Sequence, residues 1–151
     1  MRDKGNEKKS FNIVPCHTFN FALVGCGPHF LDGLEDADCA RETVYQYWVA
    51  IINRQYELAK FYCIPDGIWY NKTDEWEEYI NINSEGEASL LISEPYFYKP
   101  AEAIENNAIV YAEIFVDIIP FPGSCIINGD NFEYEIELIK QNHPPGDWEL
   151  K

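Results

Sequence analysis

Four residues in the first third of the chain are of the types that bind zinc: Cys16, Cys26, His29 and Cys39. Cys26 and His29 are separated by two residues, a spacing that lets both side chains bind one metal ion. The other two cysteines lack the paired spacing that makes zinc motifs specific, so buried thiols and a loop histidine are the ordinary interpretation. We therefore predict no metal site and no cofactor, and the question of zinc at these four residues stays open.

The chain offers no arrangement of residues for nucleophilic catalysis. A catalytic thiol needs a histidine beside it, but Cys16 and His17 are adjacent and would point to opposite faces of a strand. Phosphate-binding, dinucleotide-binding and serine-hydrolase motifs do not occur. We predict no catalytic residues and expect a binding protein rather than an enzyme.

The charge of the chain is strongly negative. The formal net charge is −15, and beyond residue 10 there are seven basic and 24 acidic residues, a charge of −17. Hydrophobic residues make up 46% of the chain, so this charge sits on a packed body rather than on a disordered tail. An acidic surface repels nucleic acid and anionic membranes and attracts basic proteins. We expect a basic protein partner, no direct binding of nucleic acid and no membrane association; solubility alone is the alternative explanation of the charge.

The carboxylates with the clearest spacing lie in residues 131–140, where apolar and anionic residues alternate. On a strand, Glu133, Glu135 and Glu137 would line the solvent face, about 6–7 Å apart, and repel one another unless a cation neutralises them. The core face would carry Phe132, Tyr134, Ile136 and Leu138. The predicted partner-binding residues are Glu35, Asp36, Asp74, Glu77, Glu78, Tyr79, Asp130, Glu133, Glu135 and Glu137.

A second hypothesis is a small-molecule-binding or hydrolytic domain. Its pocket would lie between a helix and the sheet and would be lined by His17, Tyr47, Glu113 and Asp117. Glu113 and Asp117 interrupt the most apolar strand of the chain. Because a buried carboxylate is costly, each would need a partner such as Arg41 or Lys99, or would line a cavity.

One long helix is predicted over residues 39–63. Val44, Trp48, Ile51, Leu58 and Tyr62 recur there at steps of mostly three and four residues, without glycine or proline. The stretch 43–49 is rich in β-branched and aromatic residues, so residues 43–52 could also form a strand. A turn over residues 64–67 ends the helix.

The rest of the chain predicts short strands. They cover residues 17–24, 68–71, 76–83, 88–93, 96–98, 108–119 and 131–140, with a short helix at 100–106. Residues 83–87 and Asn128-Gly129 are predicted hairpin turns. The expected fold class is α+β, one long N-terminal-half helix packed on a curved, mainly antiparallel sheet of five or more strands. Residues 1–10 are expected to be a flexible arm and residues 11–151 a single globular domain.

In size and charge, though in no motif, the chain resembles bacterial toxin-immunity proteins and phage-encoded inhibitors of defence nucleases. The resemblance implies a protein-protein interaction in which carboxylates stand in for phosphates. The partner would be a basic toxin nuclease or nucleic-acid-binding effector, neutralised by association that is fast and sensitive to salt. Irregular cysteine spacing and the lack of a membrane-span-length apolar run favour a cytoplasmic location with reduced thiols.

Overall fold

The computed structural model describes residues 34–84, 89–120, 128–141 and 148–151. Within these ranges, helices precede a curled antiparallel sheet, which confirms the α+β class. The helices are α1 (Leu34–Ile52), α2 (Tyr56–Phe61) and α3 (Ile68–Asn83). The strands are β1 (Ser89–Ile92), β2 (Tyr96–Phe97), β3 (Glu102–Ile104), β4 (Asn107–Ile119), β5 (Asn128–Lys140) and β6 (Trp148–Leu150). The predicted arm at 1–10 and the predicted strand at 17–24 lie outside the described residues.

The segment predicted as one helix over residues 39–63 is broken after α1. Arg54 adopts a left-handed φ of 57°. Its amide donates to the carbonyl of Ile51, and the amide of Gln55 donates to the carbonyl of Ala50, which is the hydrogen-bond pattern of a Schellman helix end. Glycine usually occupies this position, and arginine gives no such signal in the sequence.

Residues 43–52, which the sequence left open between helix and strand, are helical. Val44, Tyr47, Trp48 and Ile51 recur at steps of three and four residues and are fully buried. This apolar stripe packs on β4, and burial of the stripe outweighs the β-propensity of the individual residues.

The predicted strands at 68–71 and 76–83 are wrong, because both belong to the single helix α3. Its buried residues Trp69, Thr73, Trp76 and Ile80 are spaced by four, three and four residues, which places them on one helical face. Ile82, which would share a face with Ile80 if residues 76–83 formed a strand, is 59% exposed. The turn before the helix is confirmed by a 2.9 Å hydrogen bond from the Gly67 amide to the Ile64 carbonyl.

β4 lies at the centre of the sheet, as predicted for residues 108–119. One edge pairs in succession with β3, β2 and β1, and the other pairs along nearly its whole length with β5. β6 pairs with residues 138–140 of β5. The sheet therefore has a long central hairpin, β4–β5, with shorter strands at its margins.

Three local predictions in this region are wrong. Residues 100–106 form β3 and a turn, in which Glu105 has a φ of 55°, rather than a helix. β1 pairs with β4 instead of forming a hairpin with residues 76–83. Asn128-Gly129 is not a turn but the start of β5, opposite Ile118 and Asp117.

The core between the helices and the sheet is aromatic. Trp48 lies at its centre and contacts the rings of Tyr47, Trp69, Trp76 and Tyr134 at centroid distances of 5.2 to 6.2 Å. Trp148 and Leu150 of β6 are also buried. In the part of the chain that the structure describes, no helix is long and apolar enough to cross a membrane.

Candidate functional site

The face of the sheet turned away from the helices, called the outer face below, carries the predicted carboxylate row. Ile136 and Leu138 of β5 are fully buried on the helix side, with Phe132 and Tyr134 half-buried beside them. Glu133, Glu135 and Glu137 are exposed on the outer face. The predicted face assignment of this strand is confirmed, and binding of a partner there stays a prediction.

The strand register adds a fourth carboxylate to the outer face. Glu133 lies directly opposite Glu113 of β4, at the cross-strand separation of about 4.5–5.5 Å between Cβ atoms. Glu113 Oε1 accepts a 2.5 Å hydrogen bond from Asn131 Nδ2. Among the ion pairs formed within the described ranges, none includes Glu113, Glu133 or Glu135. Glu133 and Glu135 are exposed and Glu113 is half-buried, and no described cation forms an ion pair with any of the three.

Two tyrosines and a lysine border these carboxylates. Tyr111 lies opposite Glu135, and Lys99 Nζ lies 4.4 Å from the centroid of the Tyr111 ring. Burial, followed by the charges of the nearby glutamates, raises the pKa of Tyr98 and of Tyr111. Glu137 has a lysine within reach, since Lys151 Nζ is 3.6 Å from its Oε2 atom. The negative field is thus strongest around the Glu113–Glu133 pair.

Sequence reasoning missed Glu113, Tyr98, Tyr111 and Lys99 as parts of this surface. It expected Glu113 to be buried, either paired with a cation such as Arg41 or Lys99 or lining a cavity. The signal that could have placed it correctly is its spacing of four residues from Asp117, which puts both on one face of β4. The pairing of Glu113 with Glu133 depends on the register of the β4–β5 hairpin, which residues 120–127 connect.

Asp130 does not belong to the outer face. It lies on the helix side of β5 and accepts a 2.5 Å hydrogen bond from the hydroxyl of Tyr79 on α3. Burial, followed by this hydrogen bond, raises the pKa of Tyr79. This hydrogen bond links α3 to the sheet, and binding of a partner by these two residues stays a prediction.

The remaining predicted acids lie on the helices. Asp74 forms an ion pair with Lys60, at 2.6 Å, and Asp36 forms one with Lys140, also at 2.6 Å. Glu78 is exposed on α3, and Glu77 is half-buried there. Glu35 lies in α1, but its side chain is outside what the structure describes. The predicted partner-binding set is therefore spread over separate surfaces, and its members on the outer face, Glu133 and Glu135, form no ion pair with any described residue.

No protein-family model and no curated protein matches the chain. What the outer face can do therefore follows from its own chemistry. Exposed carboxylates on paired strands are held in fixed positions, so they present a rigid pattern of negative charge to Lys and Arg side chains.

The predicted small-molecule pocket between helix and sheet does not form from its named residues. Tyr47 is fully buried, and its hydroxyl donates to Thr73 Oγ1 at 3.2 Å, while Glu113 and Asp117 lie on the opposite face of the sheet. His17 lies outside the described residues. An open groove of about 440 Å³ occurs at a different place, the turn between α1 and α2. It is lined by Arg54, Gln55, Tyr56, Glu57, Leu58 and Glu77.

Two cysteines can be placed. Cys39 lies in α1 and is disulfide-bonded, so the prediction of a reduced thiol is wrong there and the cysteine argument for the cytoplasm is weakened. Cys63 is free and buried, and burial raises the pKa of its thiol to about 12. Cys16, Cys26 and His29 lie outside the described residues. Among the residues that are described, no group of three histidine, cysteine or acidic side chains could hold a metal ion.

The buried tyrosines predict alkaline unfolding. Burial raises the pKa of Tyr134 to about 12 and raises the pKa of Tyr47 further, above the ordinary value of 10.0. The fold favours the neutral form of these phenols. Their contribution to the free energy of unfolding is therefore complete below pH 10 and is lost as the pH rises from about 10 towards 12. The free energy of unfolding, measured with urea and tryptophan fluorescence, should be level up to about pH 9 and fall above pH 10.

Two variants control this prediction. Tyr47→Phe removes the most deeply buried phenol, and Thr73 keeps its hydrogen bond to the Trp69 carbonyl, so the free energy of unfolding should fall less steeply above pH 10. Tyr96→Phe changes an exposed residue and should leave the alkaline profile unchanged. A free energy that stays level to pH 12, or the same profile in both variants, would contradict the assignment.

Proposed function

We propose that this protein is an inhibitor of the immunity type, which binds and neutralises a basic protein through its outer face. The partner class that fits is a nuclease toxin or a nucleic-acid-binding effector, whose basic cleft would accept carboxylates in place of phosphates. The observation that supports this proposal is a set of three carboxylates without ion-pair partners among the described residues, the exposed Glu133 and Glu135 and the half-buried Glu113, on adjacent paired strands.

The electrostatic energy of the outer face favours a cationic partner. Like charges directly opposite each other on paired strands destabilise the fold by about 0.2–1 kcal/mol. In the free protein, Glu113 and Glu133 repel each other in this way. A bound Lys or Arg side chain would convert the repulsion into attraction. The same field would speed encounter with a basic protein and would weaken as salt is added.

Apolar side chains on the outer face favour a protein over a small cation. Leu91, Tyr96 and Phe115 are about half exposed, and Tyr96 lies directly opposite Glu113. Tight protein interfaces combine aromatic and aliphatic anchors with a charged rim. A surface that exposes both kinds of side chain is suited to such an interface.

The test is capture of the partner from a lysate of the source cells. The immobilised protein should retain a basic protein at low salt and release it as the salt concentration rises. Once purified, that partner should lose its nuclease or nucleic-acid-binding activity when an equimolar amount of this protein is added. If no basic protein elutes with salt, or if the captured protein keeps full activity in the complex, the proposal is wrong.

A further inference from the structure

One edge of β5 has backbone groups to which no other described residue forms a hydrogen bond. On one side, β4 pairs with residues 128–139 of β5. On the other side, β6 pairs only with residues 138–140 of β5. Next to β6, the Lys151 amide donates a 2.9 Å hydrogen bond to the Glu137 carbonyl. From residue 129 to residue 136 no backbone hydrogen bond leaves this edge within the described part of the chain. The sheet could therefore accept another strand along about eight residues.

The edge backbone and the carboxylates belong to the same residues. Along a strand, the backbone groups of successive residues point to alternate sides. The Glu137 carbonyl points to the β6 side, where it accepts from the Lys151 amide. The Lys140 amide points to the β4 side, where it donates to the Asn106 carbonyl. Asn131, Glu133 and Glu135 consequently direct their amides and carbonyls to the open edge. Two of these three residues also place a carboxylate on the outer face.

The negative charge on this edge disfavours the addition of an acidic strand and favours the addition of a basic one. Exposed edges are commonly protected by charged side chains, and glutamates at alternate positions repel the same edge of a second copy of this chain. They do not repel a strand that carries Lys or Arg. The edge is thus closed to self-association and open to a cationic segment.

We propose that the open edge of β5 binds an extended cationic segment of the partner as an added strand of the sheet. This inference rests on the proposed function, because it specifies how the basic partner is held. Residues of the added strand directly opposite Glu133 and Glu135 lie on the outer face, about 4.5–5.5 Å away at Cβ, where Lys or Arg meets the carboxylates.

The helix side of the added strand has a different requirement. Between the cationic positions, side chains point towards the half-buried rings of Phe132 and Tyr134. Apolar residues at these positions would extend the core. The edge therefore fits a segment in which basic and apolar residues alternate.

Three synthetic peptides test this inference on the full chain. The first alternates Lys and Val over about eight residues, the second has the same composition with all Lys before all Val, and the third is the first with methylated amides at alternate residues. The alternating peptide should bind about tenfold tighter than either of the others, because only it combines Lys opposite Glu133 and Glu135, Val against Phe132 and Tyr134, and hydrogen bonds along the edge. It should also slow amide exchange, measured by NMR, at Asn131, Glu133 and Glu135.

A pair of variants removes the hydrogen bonds while keeping every carboxylate. Asn131→Pro lacks an amide that points to the open edge, and Asn131→Ala retains it; both lose the side-chain bond to Glu113. The alternating peptide should bind Asn131→Ala like the unmodified protein and Asn131→Pro more weakly. A circular dichroism spectrum identical for the two variants shows that the comparison is made on the same fold.

The outcomes separate this inference from the proposed function. Equal affinity for all three peptides means that charge alone is recognised, which overturns strand addition and leaves the inhibitor proposal standing. Slow exchange at Glu133 and Glu135 in the peptide-free protein shows an edge already covered, by this chain or by a second copy, and also overturns strand addition. Lysate capture of no basic protein overturns the inhibitor proposal whatever the peptides do.

Discussion

Replacing Glu133, Glu135 and Glu137 together with lysine is expected to weaken binding of the basic partner by about a hundredfold or more. All three side chains are exposed on the outer face, and the change turns three attractive contacts into repulsive ones. Juxtaposed like charges at an interface cost several kcal/mol, which sets the size of the effect. The measurement is the dissociation constant for the captured partner, taken at low salt and again at high salt, where the difference between the proteins should shrink.

The fold should tolerate this triple substitution. A lysine at position 133 would face Glu113 and replace a repulsive cross-strand pair with an attractive one. The change at Glu137 removes only a surface ion pair with Lys151, an interaction worth about 0–1 kcal/mol. Thermal unfolding should therefore differ little from that of the unmodified protein.

The matched control changes the same number of charges on the helices. Glu57, Glu75 and Glu78 are exposed there, and their replacement with lysine should reduce binding only slightly, through the long-range field. If this control loses binding while the outer-face variant keeps it, the partner docks on the helical surface. If both lose binding equally, net charge rather than a particular face is what the partner recognises.

The period-two pattern of the sequence predicted the centre of the sheet well. Alternation in residues 131–140 assigned Ile136 and Leu138 to the core and the three glutamates to solvent, because neighbouring residues on a strand must point to opposite faces. The apolar run at 108–119 likewise predicted β4. Both patterns are long and local, so no tertiary information was needed.

The pattern failed where short segments satisfied two periods at once. Residues 76–83 alternate for a few positions, but Trp69, Thr73, Trp76 and Ile80 also form a helical stripe, and only packing on the sheet decides between them. The left-handed turn at Arg54 carries no sequence signal of the kind that glycine gives.

Only the part of the candidate site that depends on local alternation could be predicted from the sequence. The glutamate row of β5 follows from local alternation. The Glu113–Glu133 pair and the open edge depend on strand register and strand order, which join residues distant in sequence. Asp130 is close in sequence to the glutamates of β5, but its even-numbered position places it on the helix side of the strand rather than on the outer face.

Trp48→Ala is expected to lower the free energy of unfolding by about 3–5 kcal/mol. Trp48 is fully buried where α1, α3 and β5 meet, and its ring contacts those of Trp69, Trp76 and Tyr134. Truncation leaves a cavity that the surrounding rings cannot fill without leaving their own contacts. Since a domain of this size has about 5–15 kcal/mol of stability, the variant should be close to unfolding at physiological temperature.

Trp48→Phe separates the volume of this residue from its polar atom. Phenylalanine retains most of the ring contacts and removes the indole Nε1–H, which is buried without a hydrogen-bond partner among the described residues. The loss should therefore be much smaller than for alanine, and Phe61→Ala, at an exposed ring, should cost less than about 0.5 kcal/mol. Urea denaturation monitored by circular dichroism measures the free energy of unfolding of all three variants. Equal losses for alanine and phenylalanine at position 48 would show that packing around Trp48 is not what stabilises the fold.

Because Trp48 lies on the helix side of the sheet, Trp48→Phe should bind the partner at the outer face with unchanged affinity.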